Sequence, residues 1–63
     1  MIRWDEIIKT IREELVITQT EFADLIGASF VSVNRWENGH CVPTIKKRRK
    51  IKQLMKQYNI NEE

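Results

Sequence analysis

Two start-and-stop signals for short helices, set one after the other between Thr18 and Gly39, constrain this chain more than any other feature. In the first, the Thr18 hydroxyl can accept from a free N–H of the opening turn. Glu21, three residues on, can reach back to the Thr18 N–H, which makes a capping box. Phe22, Leu25 and Ile26 follow at helical spacing, and Ala23 is small enough to let another helix come close. Gly27 then enters the left-handed conformation that ends a helix, which costs glycine nothing sterically. In the second signal, Ser29 is the N-cap, a helix runs from about Phe30 to Glu37, and Asn38-Gly39 stops it. A turn this tight makes the second helix stand out from the body.

Val33 and Trp36 are three apart and face inward, which leaves Phe30, Val31, Asn34 and Arg35 facing out or at the helix start. A plain helical hairpin in a small bundle explains the caps and the apolar stripe. It does not explain an exposed Phe30-Val31 pair beside Arg35, because exposed apolar side chains at a helix start mark a contact surface. A protruding helix with an outer arginine fits a DNA major groove.

At 63 residues the chain forms one domain, 1–63, with no room for a catalytic or ligand-sensing domain. The predicted core is Trp4, Ile8, Ile11, Leu15, Phe22, Leu25, Ile26, Val33, Trp36, Ile45, Ile51, Leu54 and Met55. No apolar run approaches a membrane span. The N-terminus turns amphipathic at once, so no signal peptide is expected, and a single cysteine suits a reducing, cytoplasmic setting. Charge is divided: residues 1–37 carry four basic and seven acidic side chains, net −3, whereas 38–63 carry seven and two, net +5. A basic segment directly after the protruding helix is the electrostatic footprint of a nucleic-acid binder.

The first helix is predicted from Ile2 to Leu15, with Trp4, Ile8, Ile11 and Leu15 along one face. Ile17 before the Thr18 cap can staple to Phe22. Arg12 is either an ordinary surface arginine or, beside Ile11, an edge-of-core residue. His40 and Cys41 are one histidine and one cysteine, too few for a zinc site, and no metal or cofactor is expected. Cys41 is expected to be a small, partly buried hydrophobe. Without a nucleophile–base–orienter set, the chain is not expected to be an enzyme. Thr44 caps a last helix whose inner face is Ile45, Ile51, Leu54, Met55 and Tyr58. Its first turns carry Lys46 to Lys50, unfavourable beside the positive end of the helix dipole. A phosphate backbone would compensate, with Lys46, Lys47 and Arg49 as the contacts. Residues 59–63 form a polar tail expected to fray, unless Tyr58 and Ile60 pack against a second subunit.

The pattern resembles the helix-turn-helix of the lambda-repressor/Cro-like (XRE) family. The shared residues are Gln19, the Glu21-Phe22-Ala23 run, Gly27 nine residues after Thr18, Ser29, the Val33/Trp36 spacing, and Trp36-Glu37-Asn38-Gly39. Ile8, Ile11 and Arg12 fall where that family has its first helix, and Pro43-Thr44-Ile45 where its fourth begins. The resemblance runs from about Ile8 to Met55 and implies an all-α, compact bundle of four to five helices, with the helix-turn-helix at about 18–38. It implies that Gln19, Ser32 and Asn38 contact the DNA backbone, that Ser29, Phe30, Val31 and Arg35 read bases, and that Arg12 and Glu37 form a buried ion pair. Three departures stand out. Phe30 sits where a polar base reader is usual, the fourth helix opens on a basic cluster, and the chain ends too soon for a full fifth helix, which serves dimerisation in the family.

The expectation is a sequence-specific double-stranded DNA-binding regulator, a repressor acting by operator occupancy, and a homodimer on a palindromic site. No small-molecule ligand is evident. The rival is a protein–protein adaptor or antitoxin-like module that uses the same fold without reading DNA, supported by the apolar Phe30-Val31 pair.

Overall fold

The structure is a computed structural model that describes residues 3–60. Among these residues there are four α-helices and no strand: α1 Trp4–Leu15, α2 Gln19–Ile26, α3 Phe30–Glu37 and α4 Ile45–Gln57. The architecture is an all-α helical bundle, as the resemblance implies. The part of the first helix expected at Ile2 lies outside the described residues.

Local chemistry accounts for each helix start. Thr18 and Glu21 form the reciprocal capping box, with bonds of 3.1 and 2.9 Å. Ser29 caps α3 through the Ser32 N–H at 3.1 Å, and Thr44 caps α4 through the Lys47 N–H at 3.5 Å. Only α1 lacks a side-chain cap. There Arg3 pairs with Asp5 at 3.2 Å, and Asp5 and Glu6 offset the helix dipole. The Arg3 hydrogen bond holds the Asp5 carboxyl below its ordinary range. That small contribution is therefore present above the usual carboxylate range and lost as pH falls through the lowered value.

All four helices end alike. A residue with positive φ follows the last turn at Val16, Gly27, Gly39 and Asn59. The next N–H then donates to the carbonyl five residues back: Ile17 to Arg12, Ala28 to Ala23, His40 to Arg35 and Ile60 to Met55, at 2.7–3.0 Å. This is the Schellman reversal, which satisfies end carbonyls and folds an apolar residue back onto the helix. Ile17, Ala28 and Ile60 accordingly pack against the core.

The core comprises Trp4, Ile7, Ile8, Ile11, Phe22, Ala23, Ile26, Val33, Trp36, Ile51, Leu54 and Met55. Helix α3 packs on α1 and α2, and α4 packs on α2. Several expectations need correction. Ile45 and Leu25 are exposed. Ile45 stands six residues before Ile51, about 240° round the helix, and Leu25 falls on the flank of the Phe22/Ile26 face. Ile7 is buried and Leu15 only partly so. Tyr58 is exposed at the end of α4, and Ile60 takes the inward place through the terminal reversal rather than fraying. Residues 61–63 of that tail lie outside the described residues. Cys41 is exposed, while Pro43 is the fully buried residue of its loop.

Val16 is 87% exposed and holds φ 56°. A β-branched side chain there costs on the order of 1–2 kcal/mol. Val16→Gly is expected to raise stability by about 0.5–1 kcal/mol, net of the extra freedom of glycine in the unfolded chain. Gly27→Ala is expected to lower it by about 1 kcal/mol, since the added Cβ meets nothing closer than Lys47 Nζ at 3.7 Å and the penalty is conformational. Urea unfolding of both variants checks this, and a destabilised Val16→Gly contradicts it.

Candidate nucleic-acid interface

Helix α3 is clamped by one face and open on the other. Val33, Trp36 and Glu37 are buried, whereas Phe30 (49%), Val31 (56%) and Arg35 are exposed. Val31 and Arg35 are four apart, so they lie in one row and the Arg35 side chain leans back over Val31.

The clamp includes an ion pair. Arg12 Nε donates to Glu37 Oε2 at 2.6 Å and Arg12 Nη2 to Oε1 at 2.8 Å, a two-toothed match between α1 and α3. Arg12 Nη1 also donates to the Ile17 carbonyl at 3.3 Å, in the α1–α2 connection. The Glu37 side chain is 3% exposed and that of Arg12 24%. The hydrogen bonds to Glu37 raise the Arg12 pKa, against the opposing effect of burial. A raised cation pKa contributes stability below its unfolded value and loses it only as pH climbs past that, so no pH dependence arises near neutrality.

Polar residues beside the open face are already engaged with one another. The Ser29 hydroxyl caps α3 and also donates to Ser32 Oγ at 3.0 Å, so its hydrogen is spent within the helix. Asn38 Nδ2 donates to the Asn34 carbonyl at 2.8 Å and to Asn34 Oδ1 at 3.2 Å, so both of its amide hydrogens are used. Asn34 Nδ2 donates to Gln19 Oε1 at 3.3 Å, which joins α3 to the start of α2.

The basic cluster of α4 divides between two flanks. Lys47 Nζ donates to the Gly27 carbonyl at 2.6 Å, at the turn between α2 and α3. Arg48 Nε donates to the Pro43 carbonyl at 2.8 Å, and its guanidinium sits 5.8 Å from the Trp4 ring centre. Carbonyl acceptors thus offset part of the charge at the N-terminus of α4. Lys46, Arg49 and Lys50 are exposed. Arg49 is about 200° round the helix from Lys47, on the far side from the α2–α3 turn, and with Trp4 and Ile45 it lines an open, mostly apolar groove. Sequence reasoning missed the inward roles of Lys47 and Arg48, since nothing in a run of five cations marks which of them meet a carbonyl.

A family model described as helix-turn-helix, of Cro/C1 type, matches residues 8–63. The chain belongs to the XRE helix-turn-helix family. At the level of the family, this XRE-type chain is a DNA-binding regulator. Comparisons with curated proteins and with solved structures give no match. No helix among the described residues is long and apolar enough to cross a membrane, and no group of three or more metal-ligating side chains gathers there.

Breaking the clamp from the α1 side strands a buried charge. Arg12→Ala is expected to lower stability by about 3 kcal/mol, because it leaves the Glu37 carboxylate, with its 3% exposed side chain, without its cation. That loss would leave so small a domain largely unfolded at 37 °C. The double variant Arg12→Met/Glu37→Leu is expected to recover most of the loss. A thermal midpoint for Arg12→Ala near that of the parent contradicts this.

Proposed function

We propose that α3 reads the major groove of double-stranded DNA and that the protein represses transcription by occupying an operator. The carrying observation is the open row Phe30, Val31 and Arg35 on a helix whose other face is anchored by Val33, Trp36 and Glu37. Arg35 offers two parallel N–H donors to the O6 and N7 atoms of guanine. Phe30 and Val31 pack on thymine methyl groups, so the site contains guanine near a thymine-rich step. Ser29 starts the helix that carries these readers.

Position on the duplex comes from phosphate contacts, which are blind to sequence. Gln19, the Ser32 hydroxyl, Lys46 and Lys47 supply them from the α2–α3 side. Asn38 contributes by holding its neighbours, and Arg49 belongs to the other flank of α4. The reading places the protein in the cytoplasm, on the nucleoid when bound.

The described chain measures 26 × 26 × 20 Å. Equivalent half-sites lie about 34–36 Å apart, one turn of DNA. One copy therefore covers one half-site, and the reading requires two copies on an inverted repeat. Sedimentation of the protein with such a duplex is expected to give two copies per duplex, and saturation at one contradicts the dimer.

Two substitutions separate base reading from backbone contact. Arg35→Ala is expected to weaken binding to the preferred site by about 1–3 kcal/mol and to leave binding to mixed-sequence DNA nearly unchanged. Lys47→Ala is expected to weaken both alike and to lower the slope of log K against log salt by about 0.9. Equal weakening of both DNAs by Arg35→Ala removes it as a base reader. An adaptor using the exposed Phe30-Val31 pair would lose its protein partner on Phe30→Ala without any change in DNA binding.

A further inference from the structure

The amides of Asn38, Asn34 and Gln19 form a chain whose direction has one solution. The Asn34 backbone carbonyl accepts from Asn38 Nδ2 at 2.8 Å. A carbonyl only accepts, so the NH₂ end of Asn38 must point inward. The second hydrogen of that group goes to Asn34 Oδ1 at 3.2 Å, which turns the Asn34 amide so that its NH₂ faces α2. Asn34 Nδ2 then donates to Gln19 Oε1 at 3.3 Å. With its oxygen held, Gln19 keeps both Nε2 hydrogens at the open end of the chain, beside the first turn of α2.

We infer that Asn34 is a positioning residue that sets the Gln19 amide with its N–H groups, not its oxygen, toward a DNA phosphate. The inference rests on the reading of Gln19 as a phosphate contact. A glutamine without a partner presents donor and acceptor alike, and the acceptor repels a phosphate oxygen. The relay removes that choice before DNA arrives, so binding loses less side-chain freedom. It also joins the residue that anchors α2 on the backbone to the helix that reads bases, and so fixes the register between the two kinds of contact. Asn34 itself touches no DNA in this account. Asn38, whose amide hydrogens are spent, serves as the fixed end of the chain.

The test is a double-substitution cycle on a mixed-sequence duplex at low salt, where phosphate contacts are read without an operator. Gln19→Ala and Asn34→Leu are each expected to weaken binding about five-fold, the scale of one neutral hydrogen bond. The double variant is expected to be no weaker than either single one, because Asn34 acts only through Gln19. Losses that multiply in the double variant, or Asn34→Leu without effect, overturn the relay while leaving Gln19 on the phosphate. Gln19→Ala without effect removes the phosphate contact and the relay with it. Absence of binding to any duplex by the unmodified protein overturns the DNA reading itself. Should Asn34→Leu unfold the domain, side-chain amide spectra of the unmodified protein decide. On adding duplex, the Gln19 NH₂ signals are expected to shift more than those of Asn34 and Asn38. An unshifted Gln19 NH₂ contradicts the inference.

Discussion

The bidentate pair between Arg12 and Glu37 is the constraint on which the rest of this structure depends. A glutamate with a 3% exposed side chain, near the end of α3, requires a cation, and the planar guanidinium meets both oxygens at once. The third donor of the same group holds the Ile17 carbonyl, where the chain reverses between α1 and α2. One side chain therefore ties α1, the entry to α2, and α3 together. With that face of α3 committed, Phe30, Val31 and Arg35 are turned to solvent by default, and a surface for contact is created by the way the opposite surface is held.

Much of this was legible in the sequence because it is local chemistry. The capping box at Thr18, the Ser29 and Thr44 caps and the left-handed Gly27 depend on residues within a few positions of one another, and α3 spans the expected Phe30 to Glu37. What was not legible depends on angle or on distant partners. Leu25 and Ile45 are apolar enough for a core but sit off the buried face by an angle that the backbone sets. Val16 and Asn59 adopt positive φ without being glycine, so two of the four helix ends carry no glycine signal. Ile60 reaches the core through such a reversal, which a reading of the tail as polar and frayed overlooks. Helical spacing alone turns Asn34 outward, and its hydrogen bond to Gln19, fifteen positions away, leaves no local signal.

The basic run of α4 shows how composition and structure divide the explanation. Composition identifies a positive segment beside the helix-turn-helix, which raises local affinity for any polyanion. Structure separates its members by the turn of the helix: Lys47 against the Gly27 carbonyl, Arg48 against the Pro43 carbonyl and Trp4, and Arg49 on the opposite flank. Lys47 both seals the α2–α3 turn and holds a positive charge next to the start of α3. Charge placed by a structural hydrogen bond is already ordered, so less side-chain entropy is lost when an anion arrives.

The central claim is that the exposed row of α3 reads sequence. Selection from a random pool of duplex DNA at near-physiological salt, followed by sequencing, tests it most directly. The account predicts an enriched inverted repeat with half-sites one helical turn apart, each holding a guanine near thymines. A pool that binds in a salt-dependent way yet shows no enrichment would contradict it, leaving α3 as a surface for a protein partner.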